Sequence, residues 1–159
     1  MGLQVRIAIA AVGRLGRAPE AALAEDYARR AGAAGRALGL GPVEIIEVEA
    51  RKPGKPAEAE ALLAALQPGD EVVACDEHGQ ALASRAFAEL IGRLRDGGAR
   101  RLVFLIGGAD GLGAAALDRA GRKLAFGVQT WPHALARAML AEQVYRAVTI
   151  LSGSPYHRD

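Results

Sequence analysis

A chain of 159 residues has the usual length of one domain, and its 51% apolar residues can fill a core without disulfide support. The single cysteine, Cys75, excludes an internal disulfide framework and any multi-cysteine zinc site. The formal net charge of +2 permits a nucleic-acid partner without favouring one, because the distribution of charge matters more than its sum.

The first predicted element is a strand at residues 3–12, where Val5, Ile7 and Ile9 occupy alternating positions. This stretch lacks the long apolar core of a signal peptide, and no run in the sequence approaches the roughly 20 apolar residues that span a bilayer. The lone cysteine also fits a reducing compartment. We therefore expect a cytoplasmic protein that makes no membrane contact.

Predicted helices and strands alternate along the rest of the chain. Strands are predicted at residues 43–48, 71–75, 101–106 and 123–128, and helices at residues 20–38, 57–66, 84–95, 114–119 and 132–151. Pro19 and Pro132 mark helix starts, and Ser84 is predicted to cap its helix. The strand at 101–106 is apolar between its ends, which is typical of the centre of a parallel sheet. This order predicts a single α/β domain over residues 1–159, with a mostly parallel sheet covered by helices on both faces.

Ligands bind at the carboxyl ends of strands in open parallel sheets, so three strand ends are candidate sites. Gly-Arg-Leu-Gly at residues 13–16 is interpreted as a structural turn, and Cys-Asp-Glu-His-Gly at 75–79 as a polar turn. Gly-Gly-Ala-Asp-Gly at 107–111 follows the most apolar strand, and its adjacent glycines allow a ligand to approach the backbone closely. Its spacing fits neither the dinucleotide fingerprint nor the P-loop. A glycine turn with only a folding role is an equal alternative.

Two further features lie near the carboxyl end of the chain. Thr130-Trp131-Pro132-His133 places a proline at a helix start and a histidine in the first turn, where unpaired amide donors cluster. The tail at 153–159 contains an aromatic residue, a histidine and an arginine after a proline, which suits a placed functional group better than a frayed end. We predict that the glycine-rich strand end, this corner and the tail form one ligand site.

The last predicted helix has apolar residues on more than one face. Such a helix packs on the sheet and on a second subunit, most simply in a twofold dimer. Basic residues cluster at 51–55 and 93–101. These clusters are candidate phosphate contacts, although most such clusters are ordinary solvated surface.

Four motifs follow one another in the second half of the chain: Phe104-Leu105-Ile106-Gly107-Gly108-x-x-Gly111, Trp131-Pro132-His133, Leu140-Ala141-Glu142-Gln143-x-Tyr145-Arg146-Ala147 and Pro155-Tyr156-His157-Arg158. In this order and spacing they closely resemble the bacterial ribosomal large-subunit methyltransferase H family, and the resemblance covers the whole chain. It implies the SPOUT class of α/β fold with a C-terminal trefoil knot and an obligate homodimer without a metal ion. It also implies S-adenosylmethionine as methyl donor and N3-methylation of a pseudouridine in 23S rRNA of the assembled ribosome.

Carried onto matching positions, the resemblance implies two groups of site residues. The cofactor pocket would be lined by Cys75, Gly108, Gly127, Val128, Gln129, Thr130, Trp131 and Pro132, and the reacting end by His133, Tyr156, His157 and Arg158. As a hypothesis, His133 or His157 removes the proton from the target imide nitrogen while Arg158 stabilises the resulting negative charge. The choice between the two histidines is open.

The sequence departs from the family's pattern at three places: Ala109-Asp110 stands where Pro-Glu is common, Trp131 replaces a smaller aliphatic residue, and Gly153-Ser154 replaces a more polar pair. A second class of function also fits the residues, namely a nucleotide- or RNA-binding module without catalysis that uses the same glycine turn and basic surface. A hydrolase is less consistent with the sequence. It has no G-x-S-x-G elbow, and no serine is recognisably paired with His133 or His157.

Overall fold

The computed structural model describes residues 4–159, so residue 3 of the first predicted strand lies outside the described residues. The strands are β1 (Val5–Val12), β2 (Leu40–Val48), β3 (Glu71–Ala81), β4 (Arg101–Ile106) and β5 (Arg122–Ala125). The helices are α1 (Pro19–Gly35), α2 (Lys55–Ala64), α3 (Ser84–Asp96), α4 (Ala114–Arg119) and α5 (His133–Ser152), and a 3-10 turn over Arg36–Leu38 follows α1.

The five strands form one sheet in the order β2-β1-β4-β3-β5, and each neighbouring pair is parallel. β4 lies in the middle, and all six of its residues are buried. This confirms the prediction of a parallel sheet with its most apolar strand at the centre. Because the strands run in the same direction, the carboxyl ends of β3, β4 and β5 lie along one edge.

Alternation along β1 divides the core into two layers. Ile7 and Ile9 pack in a cluster with side chains of α1, α3 and α5, whereas Ala8 and Ala10 pack in a second cluster with side chains of α2 and α4. Leu62 of α2 belongs to this second cluster and is fully buried. Burial of one such leucine stabilises the fold by about 2 kcal/mol. Helices therefore cover both faces of the sheet, as predicted from the alternation of elements.

The predicted polar turn at 76–79 is wrong, because β3 continues through it to Ala81. The pairing of β3 with β5 shifts register between Cys75 and Gln80, so the intervening residues form a bulge on the strand. Gly79 permits this path, since a Cβ atom there would lie 2.6 Å from the carbonyl carbon of Lys123. The polar residues 76–79 lack the apolar alternation of a regular strand, so the sequence pattern predicted a turn there.

The cap of α3 and the end of β5 also differ from the prediction. Ser84 does not cap α3, because the N-cap residue is Ala83 and no side-chain cap bond forms. The Ser84 hydroxyl instead donates a hydrogen bond of 2.8 Å to Oε1 of Gln143, which ties α3 to α5. The last strand, predicted to reach residue 128, ends at Ala125. The residues that follow it form a loop that leads into α5.

Candidate functional site

A cleft of about 730 Å³ opens where β3, β4 and β5 end. Its walls come from the ends of these strands, from the loops that follow β4 and β5, and from the first residues of α2 and α5. The lining residues are Lys55, Cys75, Asp76, Glu77, His78, residues 106–112, Leu117, residues 124–127, residues 129–133 and Ala136.

Most of the predicted cofactor residues line this cleft, although they come from three separate parts of the sequence. The structure places there Cys75, Gly108, Gly127, Gln129, Thr130, Trp131 and Pro132, together with His133. Val128 does not line it, because its side chain is fully exposed at the tip of the loop between β5 and α5. The tail residues do not line it either.

The glycines after β4 are required by the local packing of the turn. A Cβ atom on Gly107 would lie 2.5 Å from the carbonyl carbon of Gly111, and one on Gly108 would lie 2.9 Å from Oε2 of Glu58. The amide of Gly111 donates a hydrogen bond of 3.0 Å to the carbonyl of Gly108, which closes the turn. The turn therefore has a folding role, and it also leaves backbone rather than side chains on the cleft wall.

The loop between β5 and α5 forms the facing wall. The indole N–H of Trp131 donates a hydrogen bond of 3.0 Å to the carbonyl of Phe126, so the side chain spans the loop from its end to its start. Gly127, inside this span, has a φ of +91°, a backbone conformation that favours glycine. The hydroxyl of Thr130 lies 3.4 Å from Oε2 of Glu77 on β3. These contacts give the loop a defined path along the cleft.

Cys75 contributes a neutral wall. Burial raises the pKa of its thiol to about 12, so the side chain keeps its proton near neutral pH. A protonated thiol is a poor nucleophile and a poor metal ligand. Among residues 4–159, no group of three or more His, Cys, Asp or Glu side chains is arranged to hold a metal ion.

The tail folds back onto α5. Nη1 of Arg146 lies 3.1 Å from Nδ1 of His157, and its guanidinium group lies 4.8 Å from the centre of the Tyr156 ring. Arg146 is held in turn by Glu142, with its Nε donating at 2.9 Å to Oε1. Burial, chiefly, raises the pKa of Tyr156 to about 12, so this hydroxyl keeps its proton. Arg158 is exposed.

One chain does not bring the tail to the cleft. His133 lies at the start of α5 and Arg146 lies 13 residues further along the same helix, which corresponds to about 20 Å. Tyr156 and His157 are held beside Arg146, and none of the tail residues lines the cleft. The prediction that the glycine turn, the corner and the tail share one site is therefore not met within a single chain.

The sequence model of the family described as "Predicted SPOUT methyltransferase" matches residues 5–157. The chain belongs to the SPOUT methyltransferase family. The match spans the sheet, the cleft and the tail as far as His157, so it covers every element described above.

Relatives of this SPOUT methyltransferase support a narrower placement. The chain is 71% identical over 155 residues to the "Ribosomal RNA large subunit methyltransferase H" of Phenylobacterium zucineum (strain HLK1), covering 98% of this chain and 100% of the relative. It is 70% identical to the protein of the same name from Caulobacter sp. (strain K31), with the same coverage. The chain therefore belongs to the ribosomal RNA large subunit methyltransferase H family.

A solved structure agrees with the fold. The crystal structure of a probable methyltransferase from Bordetella pertussis Tohama I matches 91% of this chain and 96% of its own chain, with a TM-score of 0.57 and 18% sequence identity. At that identity the match supports the α/β architecture of the SPOUT fold alone. No helix in the described part of the chain is long and apolar enough to cross a membrane.

Sequence reasoning missed two kinds of site residue in this SPOUT methyltransferase. Lys55 and His78 line the cleft, but they were assigned only to a basic segment and to a polar turn. Glu142 and Arg146 hold the tail, and their spacing of four residues within a helix was the available signal. The spacing does not show that Tyr156 and His157 contact Arg146.

Proposed function

We propose that this protein transfers a methyl group from S-adenosylmethionine to N3 of a pseudouridine in 23S rRNA of the assembled ribosome, in the cytoplasm. The observation that carries the proposal is the cleft. Its walls include Gly108, Gly127, residues 129–132 and Cys75, all of them places to which the family resemblance assigns the cofactor. The names of the relatives support ribosomal RNA of the large subunit as the substrate.

The cleft suits the proposed cofactor in size and chemistry. Its volume of about 730 Å³ lies in the range of small-molecule sites. Apolar side chains such as Ile106 and Leu124 offer faces for an adenine ring, and backbone groups of the loop after β5 offer hydrogen bonds to its edge. When bound, the cofactor supplies a methyl group on a positively charged sulfur. Asp76 and Glu77 place carboxylates on the wall, which favours a cationic ligand.

The residues of the chain would act mainly by positioning the two reactants, because an in-line displacement gains most from correct placement. The target imide nitrogen must lose its proton before or during attack. His133 is the histidine of the first turn of α5 that lines the cleft, so it can reach a base bound at the mouth. In this role His133 accepts the imide proton on its ring.

His157 is less suited to that role in the conformation that the tail adopts. A guanidinium group can only donate hydrogen bonds, so Nδ1 of His157 accepts from Arg146. Nε2 then carries the proton and donates to Oδ1 of Asp159 at 3.0 Å. Both ring nitrogens are thereby engaged, and the ring has no free lone pair for a substrate proton. Among the two histidines, the structure favours His133 as the base.

A homodimer reconciles the tail with the cleft. The tail is packed against Arg146, 13 residues along α5 from His133, and no tail residue lines the cleft of its own chain. A second copy of the chain could bring its tail to that cleft. The exposed Val128, beside the cleft, gives a partner an apolar surface to cover. We therefore include in the proposal a homodimer in which the tail of each chain faces the cleft of the other, with Arg158 directed to the substrate.

Ribosomal RNA would be met by the basic segment at the start of α2. Arg51, Lys52 and Lys55 are exposed, and Lys55 also lines the cleft, so the segment joins the cleft to the surface. Phosphate contacts of this kind orient a protein on folded RNA without reading its sequence. The modest net charge of +2 suits recognition of a ribosomal surface better than tight binding to free RNA.

Two measurements test the proposal. Calorimetry with S-adenosylhomocysteine should show binding to one site per chain, whereas an RNA-binding module without catalysis would show none. Mass spectrometry of 23S rRNA should then detect one new methyl group on a pseudouridine after incubation of the protein, S-adenosylmethionine and ribosomes from a strain that lacks the enzyme. Cofactor binding without that modification would overturn the substrate assignment and leave the methyltransferase assignment standing.

A further inference from the structure

Arg137 is a buried charged side chain close to the cleft but outside its lining. It lies on α5 one helical turn after His133, and only 2% of its surface is exposed. Its Nη1 donates a hydrogen bond of 2.5 Å to Oε2 of Glu47, and its Nη2 donates one of 3.0 Å to the carbonyl of Gly13. Arg137 therefore joins the start of α5 to the ends of β1 and β2.

Glu47 binds the turn after β1 as well as the arginine. Its Oε2 accepts a hydrogen bond of 3.0 Å from the amide of Leu15. This bond first, and then Arg137, lowers the pKa of the Glu47 carboxyl, so the group is ionised near neutral pH. The amide of Gly13 meanwhile donates at 2.8 Å to the carbonyl of Val48. The turn at 13–16, which the sequence marked as structural only, is thus attached to α5 through one ion pair.

Stability alone does not account for this arrangement. An ion pair with a buried arginine gains little over apolar side chains of the same shape, because the guanidinium group loses its hydration, while the Glu47 side chain stays 34% exposed. Nε of Arg137 is also buried without a hydrogen-bond partner among the described residues, which adds a desolvation cost. The pair can instead fix the position of the first turns of α5. The hydrogen bonds of Arg137 end on Glu47 of β2 and on the carbonyl of Gly13 after β1, and both positions are held by the sheet.

We propose that Arg137 and Glu47 are positioning residues for the cleft, acting through the first turn of α5. That turn carries His133 and Ala136 into the cleft, and the loop that precedes it carries Gln129 to Pro132. A shift of about 1 Å in such a segment can cost on the order of 100-fold in catalysis even when the altered residue is remote from the reaction. The inference rests on the proposed function, because it assigns these residues to the site of that methyl transfer.

The test compares two buried arginines, each paired with a carboxylate, at opposite ends of the sheet. Arg101, at the start of β4, is 3% exposed and donates hydrogen bonds of 3.1 and 2.7 Å to the carboxylate of Asp70. It lies at the amino ends of the strands, away from the cleft. Arg101→Met is therefore a control, since it removes a similarly buried arginine from its carboxylate partner without touching α5.

Four variants are prepared: Arg137→Met, Arg137→Lys, Glu47→Gln and Arg101→Met. The dissociation constant of S-adenosylhomocysteine is measured by calorimetry at a temperature where thermal unfolding shows each variant to be folded. We expect Arg137→Met and Glu47→Gln to weaken binding by about tenfold or more, and Arg101→Met to leave it unchanged. Arg137→Lys keeps the charge but cannot donate to Glu47 and to Gly13 with the geometry of a guanidinium group. Its dissociation constant should therefore lie between those of these variants and that of the parent.

The outcomes separate the two ideas. If the Arg137 and Glu47 variants bind as tightly as the parent, or no more weakly than Arg101→Met, the pair only stabilises the fold and the inference is overturned. If the parent protein itself does not bind S-adenosylhomocysteine, the proposed function fails instead. Should Arg137→Met not fold, Arg137→Lys and Glu47→Gln, which keep the size of the buried groups, decide the question.

Discussion

Two glycines beside the cleft, Gly107 and Gly108, leave no free space for a side chain. A Cβ atom added at each position would meet a different neighbour. Gly107 faces the backbone of Gly111, which cannot move without opening the turn, whereas Gly108 faces the carboxylate at the end of the flexible Glu58 side chain. The difference allows the folding role and the binding role of the glycine turn to be separated by mutation.

Gly107→Ala should destabilise the protein more than Gly108→Ala, because its new Cβ atom would lie 2.5 Å from backbone rather than 2.9 Å from a side chain. Overpacking of this kind costs about 1–3 kcal/mol. Urea denaturation gives the free energy of unfolding of each variant.

Gly108→Ala should weaken binding of S-adenosylhomocysteine, and the double variant Gly108→Ala/Glu58→Ala should recover part of the lost affinity, which calorimetry measures. No recovery would mean that Glu58 does not transmit the effect.

Trp131 closes the loop between β5 and α5 through its indole N–H, which an aliphatic side chain could not do. Trp131→Phe keeps an aromatic ring but removes the bond to the Phe126 carbonyl. A hydrogen bond of this kind contributes about 1 kcal/mol, so we expect binding of S-adenosylhomocysteine to weaken by roughly fivefold. Leu23→Ala, which shortens an exposed apolar side chain on α1, is the control for calorimetry. Equal affinity of Trp131→Phe and the parent would contradict the role of the bond.

At the scale of elements, the two ends of α5 have different tasks. Its first turn contributes to the cleft, and its later turns hold the tail through Glu142 and Arg146. Tyr145 joins this cluster, with its ring 4.7 Å from that of Tyr156 and 6.0 Å from that of Tyr27 on α1. The tail is therefore a packed part of the fold, and its position depends on α5. The trefoil knot expected from the family resemblance stays a prediction.

Arg146→Met should release the tail without changing the cleft. It removes the hydrogen bonds to Glu142, the contact with His157 and the stacking on Tyr156. We expect methylation of ribosomes to fall by on the order of 100-fold, since a displaced tail no longer positions its residues, while the affinity for S-adenosylhomocysteine stays the same. Arg85→Met is the control, because it breaks only an exposed pair with Asp159 that contributes little. A loss of cofactor affinity in Arg146→Met would contradict the expectation that the tail acts on the substrate and leaves the cofactor pocket unchanged.

At the scale of the whole molecule, the separation of tail and cleft makes the quaternary arrangement part of the catalytic question. His133→Ala impairs a cleft and Arg146→Met impairs a tail, so each homodimer of one variant has no intact site. When the two are unfolded and refolded together, half of the dimers are mixed, and each mixed dimer has one intact site if the tail serves the partner's cleft. Activity should then reach about a quarter of that of the parent.

Each variant refolded alone is the control for that experiment. If every chain used its own tail, all chains in the mixture would carry one defect, and mixing would restore nothing. Size-exclusion chromatography should show the same dimer in the parent, the single variants and the mixture. A monomer in the parent at the assay concentration would contradict the arrangement directly.

The sequence by itself determined the class of fold and the family. Apolar runs of strand length alternating with helical segments require a parallel sheet with helices on both faces, because only that arrangement buries them all. The motifs around Gly108, His133 and Tyr156 also lie in a spacing specific to the family. These features are local or ordered along the chain, so the sequence shows them directly.

Only the tertiary structure decided which of these motifs meet. The bulge in β3 depends on the approach of Lys123 to Gly79, and the burial of Arg137 against Glu47 joins residues 90 positions apart. Likewise, the tail could be predicted to be ordered, but its distance from the cleft follows from the length of α5 and the side on which Arg146 holds it. Contacts between distant residues arise from packing across the whole domain, and no local pattern in the sequence records them.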